Sequence, residues 1–271
     1  MVKKELNEAL SEVLLPEGFY KKGSAFVKIL EHDTLCVVRF DDTRRESEYG
    51  GHHFALDIGL ESLYSELDYR FSLIKDWFLA DYMIVNLIGE KSSMPIRRLE
   101  NSSTSVFYEY SMEEQICILK DKGLPLINSI HSQKELLDAL HYLQKLRFGH
   151  TLDNESVYAL YLYLEEYEKA KNIVLDLWNF WKLPEESWDS LELLKKYAYL
   201  DIDNKDSMNE LQIQHVYERN WRALQSIYRK WMVVKDSDRI KSLDYLNHNY
   251  SVNIEELRRV IPKMFKDNKP F

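Results

Sequence analysis

"AFVKILEHDTLCVVRF", Ala25 to Phe40, is the stretch whose reading decides the fold. Ala25, Val27 and Ile29 alternate with Phe26, Lys28 and Leu30; beyond a short polar break, Cys36, Val38 and Phe40 alternate with Leu35, Val37 and Arg39. Successive strand residues face opposite sides, so this period predicts two antiparallel strands joined by a tight turn at His32-Asp33. A third strand is expected in "HHFALDIGL", His52 to Leu60. With both connections pairing about their turn centres, Val27, Ile29, Cys36, Val38, Phe40, Phe54, Leu56 and Ile58 fall on one apolar face.

Upstream, Leu6, Leu10, Val13 and Leu14 recur at helical spacing until Pro16 and Gly18 break the pattern. An apolar sheet face must be buried against another element, and this helix is its natural cover. The expectation for residues 1–111 is therefore an α+β unit: an antiparallel sheet covered by an amino-terminal helix. Within it, Met83 to Ile88 and "STSVFYEYS" (Ser103 to Ser111) read as further strands.

Residues 112–271 read as an all-helical array, with segments near 132–147, 154–163, 166–182, 185–200, 207–235, 238–247 and 254–266. Ser132 with Glu135, Ser207 with Glu210 and Asn253 with Glu256 each place a capping acceptor three residues before a glutamate that can cap in return. Pro184 fits a first helical position. "ALYLYLEEYEKAKNIVLDL" (Ala159 to Leu177) resembles the middle of a tetratricopeptide repeat, in which small Ala170 lets two helices approach. No second copy follows at the usual period, so one helical hairpin is expected rather than a repeat array.

Composition narrows the function. The chain has 271 residues, 45% hydrophobic and 30% charged, the balance of an ordered globular protein. Cys36 and Cys117 stand far apart without metal-ligand spacing, which suggests neither a disulfide framework nor a zinc site. Glu5, Glu8 and Glu12 interrupt the first apolar run, unlike a signal peptide, and no stretch is long enough to span a bilayer. A cytoplasmic protein is expected. The net charge of -9 argues against nucleic acid and makes a basic protein the easier partner. Locally this reverses: Arg219, Arg222, Arg229, Lys230, Lys235, Arg239 and Lys241 crowd one stretch.

Candidate chemistry is sparse, and no cofactor or metal is expected. On the more polar side of the sheet, Asp41 is expected opposite His53, Arg39 diagonal to His53 and Asp57, and Lys28 one strand further over. These five could floor a ligand pocket with His53 as acid-base group and Arg39 positioning an anion; the alternative is a solvated face of cross-strand charge pairs. His53 and Asp57 lie roughly 13 Å apart along one strand, too far to share an ion. His131, Glu135, Asp138 and His141 fall near one side of a helix, but capping by Ser132 and Glu135 explains most of that stripe. "LIGEKSS" (Leu87 to Ser93) has Glu90 where a phosphate-binding loop needs its second glycine.

The strongest periodic signal is aromatic: Tyr217, Trp221, Leu224, Tyr228 and Trp231 alternate steps of four and three. Such residues are enriched at protein interfaces, and the same stripe could equally pack on preceding helices.

Gly18, Phe19, Lys22, Gly23 and Phe26 in "EGFYKKGSAFVKIL", with the later "FALDIGL" and "GLPLINSIHSQKELLDAL", resemble the bacterial domain of unknown function 4304 family over the first half to two thirds of the chain. The resemblance implies an α+β fold and no reaction. Some relatives of this kind are grouped with proteins of inter-bacterial conflict, which implies an immunity-like partner protein. The functional expectation is a non-catalytic protein-binding module; the alternative is an enzyme or small-ligand binder using the polar sheet face.

Overall fold

The computed structural model describes residues 2–43, 53–66, 112–146, 154–199 and 209–266. The strands expected at 83–88 and 103–111, His52, Ser207 and the loop "LIGEKSS" lie outside these residues, as does the region just before the expected boundary at 111.

Helix α1 (Val2–Leu14) encloses Leu10 and Leu14 completely. It ends in a turn whose Gly18 has φ +83, a left-handed value glycine adopts without steric cost. Four strands follow, β1 (Tyr20–Lys22), β2 (Ala25–Leu30), β3 (Thr34–Thr43) and β4 (His53–Ser62), antiparallel throughout and ordered β1-β2-β3-β4. The α+β architecture with a helical carboxy-terminal region is as expected.

The register is not. Leu30 pairs with Thr34, so the β2–β3 turn is centred on His32, and Val27 faces Val37 while Lys28 faces Cys36. A slip of one residue moves a strand's whole side-chain set to the other face. Val27 and Ile29 therefore belong with Leu35 and Val37, opposite the face that holds Phe26, Cys36, Val38 and Ile58. Between β3 and β4 the shift is two residues, preserving faces: Arg39 pairs with Asp57, Asp41 with Ala55 and Thr43 with His53.

Both faces are covered, which is why apolar residues run almost continuously through β2 and β3. On one, Lys21 binds α1 through the Asn7 carbonyl (3.2 Å) and the Ser11 hydroxyl (2.8 Å) while lying 5.2 Å over the Phe26 ring. The same face meets the turn Leu119–Gly123, where a Cβ at Gly123 would stand 3.1 Å from Cδ1 of Ile58. On the other face Ala25, Val27, Leu35, Val37 and Leu63 pack with Leu257, Ile261 and Met264.

The helices past residue 112 begin with α2 (Met112–Ile118), a π-turn at Leu119–Gly123 and α3 (Leu124–Asn128). Pro125 offers no N–H to a regular ladder, and the Leu124 N–H reaches back five residues to Leu119. Helix α4 (Gln133–Leu146) starts at Ser132 as expected: its hydroxyl accepts from the Glu135 N–H (3.1 Å), and the Glu135 carboxylate caps the His131 N–H (2.7 Å). Then come α5 (Asn154–Tyr163), α6 (Tyr167–Phe180), α7 (Leu191–Tyr197), α8 (Glu210–Val234) and α9 (Arg239–Val260).

Three helix starts differ from expectation. Pro184 precedes a single 3-10 turn, and α7 begins later, capped by Ser190. The reciprocal box of α8 is Asn209 with Gln212, two residues beyond the expected pair. Asn253 starts nothing: α9 passes straight through it, because no glycine or proline interrupts 239–260 and its amide is engaged elsewhere.

The chain forms two compact units, Met1–Leu160 with Asn247–Phe271, and Tyr161–Leu246.

Candidate functional site

The sheet brings only part of the expected polar set together. Arg39 stands directly across from Asp57, with Asp41 and His53 at register positions of the same side. Lys28 is on the opposite face, paired with Cys36, its Nζ 5.6 Å over the Phe19 ring. There it lies beside the fully buried Cys36 thiol, whose pKa burial drives far up and Lys28 slightly opposes. The five residues thus do not share one floor. The side chains of Asp41, His53 and Asp57 lie outside the described residues.

A denser polar junction forms at the sheet's other end. His32 (φ 55) and Asp33 (φ 62) are consecutive left-handed residues, a conformation that is costly for side chains other than glycine and is tolerated best by Asn, Asp and His. Partners from three segments hold them. The Asp33 carboxylate accepts from the Tyr64 hydroxyl (2.8 Å) and, on its other oxygen, from the Tyr250 hydroxyl (3.1 Å). Its carbonyl accepts from the Leu63 N–H (2.9 Å), and the Gln133 amide of α4 donates to the His32 carbonyl. The Gln133 oxygen accepts from the buried Ser62 hydroxyl (2.6 Å).

From α9, Asn249 donates to the Tyr64 carbonyl (3.2 Å), and Asn253 donates to the carbonyls of Leu63 and Ser65 (2.8 Å each). The Tyr64 and Tyr250 rings stack, centroids 5.2 Å apart. Burial first, then the Asp33 charge and hydrogen bond, raise the Tyr250 pKa, so its hydroxyl stays a donor at neutral pH. With both carboxylate oxygens engaged, the junction is arranged to lock segments together rather than to exchange protons. Sequence reasoning read His32-Asp33 only as a turn and Asn253 only as a cap; Tyr64, Gln133, Asn249 and Tyr250 carried no periodic or motif signal.

In the helical unit the aromatic stripe of α8 divides. Tyr217 is buried and stacks on Tyr199 at 4.1 Å. Trp221, Tyr228 and Trp231 are half-buried, flanking a buried line of Asn220, Leu224, Ile227 and Lys230. Trp231 meets Trp188 edge-on at 5.3 Å, and Trp188 stacks on the enclosed Trp178 at 5.8 Å. The Trp231 indole N–H (3.1 Å) and Lys235 (2.9 Å) both donate to Asp189, which holds that carboxyl below its ordinary range. These residues are largely spent on internal packing. What this unit leaves in solvent lies elsewhere: Phe180 (79% exposed), Ile240 (72%) and Leu211 (67%), with Leu243, Tyr199, Tyr163 and Leu191.

Three of the four residues of the α4 stripe are engaged locally: Glu135 by capping, His131 Nδ1 by a 3.2 Å hydrogen-bond contact with the Glu31 carboxylate, and Asp138 by an ion pair with Lys134 at 2.5 Å. Among the described residues no group of three or more His, Cys, Asp or Glu could hold a metal, and no helix is long and apolar enough to cross a membrane. No protein family, curated protein or solved structure matches the chain.

Proposed function

We propose that this chain is a non-catalytic protein-binding module, of the immunity-like kind that the sequence resemblance implies. The observation that supports this reading is the concentration of exposed large apolar side chains on Tyr161–Leu246, foremost Phe180, Ile240 and Leu211. Scattered single apolar residues are ordinary on a surface, so the reading requires that Phe180, Ile240 and Leu211 act through contiguous patches. Lys28 leaves the polar sheet set while Arg39, Asp41, His53 and Asp57 keep one side, so the small-ligand alternative is narrowed to those four residues.

The test is capture from native lysate on the tagged full chain, at low and high salt, beside Phe180→Asp and Ile240→Asp variants. A stoichiometric protein that survives high salt and is lost from either variant is expected. A hydrolase or transferase activity abolished by changing one side chain would overturn the reading.

A further inference from the structure

The geometry points to the outer side of α6 and the loop that follows it as a docking surface for a basic, amphipathic protein segment; this rests on the protein-binding reading and names both the face and the partner's chemistry. The inner line of α6, Ala170, Val174 and Trp178, is buried. Beside it Ile173, Leu177 and Phe180, spaced four and three residues apart, form a second apolar line. The fold covers this line only in part: Ile173 and Leu177 are half-buried, and Phe180 is the most open large apolar side chain among the described residues. Trp181, also half-buried, meets Phe180 edge-on at 6.5 Å.

The end of the helix holds the line in place. The chain turns at Lys182 (φ 50), and the Leu183 N–H donates back to the Trp178 carbonyl (3.2 Å). The Trp188 indole N–H donates to the Leu183 carbonyl (3.3 Å) while its ring stacks on Trp178, so the loop closes on the helix it leaves. An aromatic anchor fixed in advance loses little freedom on binding.

The rim of this surface is acidic. Asp176 stands one turn before Phe180 on the same side of α6, and Glu185 and Glu186 lie on the loop that Trp188 closes. All three are exposed and, among the described residues, none of them forms an ion pair; Lys182 is the sole cation in 176–186. Asp189, just beyond, is already taken by Trp231 and Lys235. An apolar line rimmed by unpaired carboxylates selects an occupant whose apolar side chains are flanked by Lys or Arg. A second copy of this chain, with its own net charge of -9, and a nucleic acid would both be repelled by the rim.

The test uses the full chain and a short fluorescein-labelled helical peptide of leucine and lysine, with the same peptide carrying serine for leucine as rival, followed by anisotropy. Saturable binding of the leucine peptide is expected, weakened about tenfold or more by Phe180→Ser and by Glu185→Lys combined with Glu186→Lys. Glu5→Lys combined with Glu12→Lys, at two exposed acids of α1, changes the net charge equally and should leave the affinity within about twofold. No saturable binding, indifference to Phe180→Ser or to the reversed loop, serine-peptide binding as tight as the leucine peptide's, or an equal loss from the α1 pair each overturns the inference. A lysate partner lost from Ile240→Asp but retained by Phe180→Ser and by the reversed loop would overturn this face while leaving the protein-binding reading in place.

Discussion

Asp33 carries more of the amino-terminal unit than its place in a turn implies. Two tyrosine hydroxyls donate to its carboxylate, and hydrogen bonds to a charged group contribute about 1.5–3 kcal/mol each when well enclosed. Both tyrosines are half-buried, so the lower end applies. Asp33→Asn keeps a side chain suited to positive φ and should lose about 1–2 kcal/mol; Asp33→Ala, which also strains the turn, should lose about 1 kcal/mol more. Urea unfolding reads both, and equal losses would mean that the turn conformation contributes nothing. The pH dependence has a definite sign. The Tyr250 pKa is raised on folding, so its contribution is complete below the ordinary tyrosine value near 10 and falls as pH rises through the folded value, because the unfolded chain releases the proton first. Against the wild type, Tyr250→Phe should therefore show a shallower decline of the urea midpoint above about pH 10.

At the scale of elements, close packing between the π-turn and β4 makes a separable test. Gly123 has helical φ, so alanine would gain about 0.5–1 kcal/mol in backbone entropy, yet its Cβ would lie 3.1 Å from both Ile58 Cδ1 and Leu119 Cδ1. Both neighbours are enclosed and have little room to yield, so Gly123→Ala should cost about 1–2 kcal/mol net. Ile58→Val deletes the offending Cδ1, and in that background the cost should shrink by about 1 kcal/mol. Additive losses in thermal or urea unfolding would refute the contact. Asn253→Ala sets two rules against each other in the same way. Alanine is the better helix former, but the substitution strips donors from the carbonyls of Leu63 and Ser65. A net loss of about 1–3 kcal/mol is expected, whereas a gain would show that Asn253 acts only through propensity.

These elements also mark what was legible in the chain. Period two at Ala25–Phe40 announced strands, the breakers at Pro16 and Gly18 ended α1, and Ser132 capped α4, because each signal is local. Register was not legible: with apolar residues on both sides of β2 and β3, alternation cannot say which set faces which cover, and a three-residue turn in place of two reverses the answer. The polar junction was hidden for a related reason. It joins Asp33, Gln133, Asn253 and Tyr250, and no spacing rule connects residues that distant in sequence.

For the molecule as a whole, α9 is the element with the widest reach, its residues through Leu246 falling in one unit and those from Asn247 in the other. In proteins most helical stability comes from tertiary packing rather than from propensity, so each part depends on the packing of its own unit. The helix is continuous over Arg239–Val260, with no glycine or proline in it. Asn247 is exposed, which makes it a site where the backbone can be altered with little loss of packing. Asn247→Pro removes one ladder donor and sets the ring against the Leu243 carbonyl, a cost of about 3 kcal/mol to the helix. If α9 couples the units, the wild type should unfold in urea as one transition seen alike by tryptophan fluorescence, to which five of the six tryptophans contribute from Tyr161–Leu246, and by far-UV circular dichroism. In the proline chain the two probes should separate, with the fluorescence transition moving independently of the remainder. Coincident transitions in both chains would place the coupling outside the helix, and separated ones already in the wild type would mean that the units unfold independently despite it.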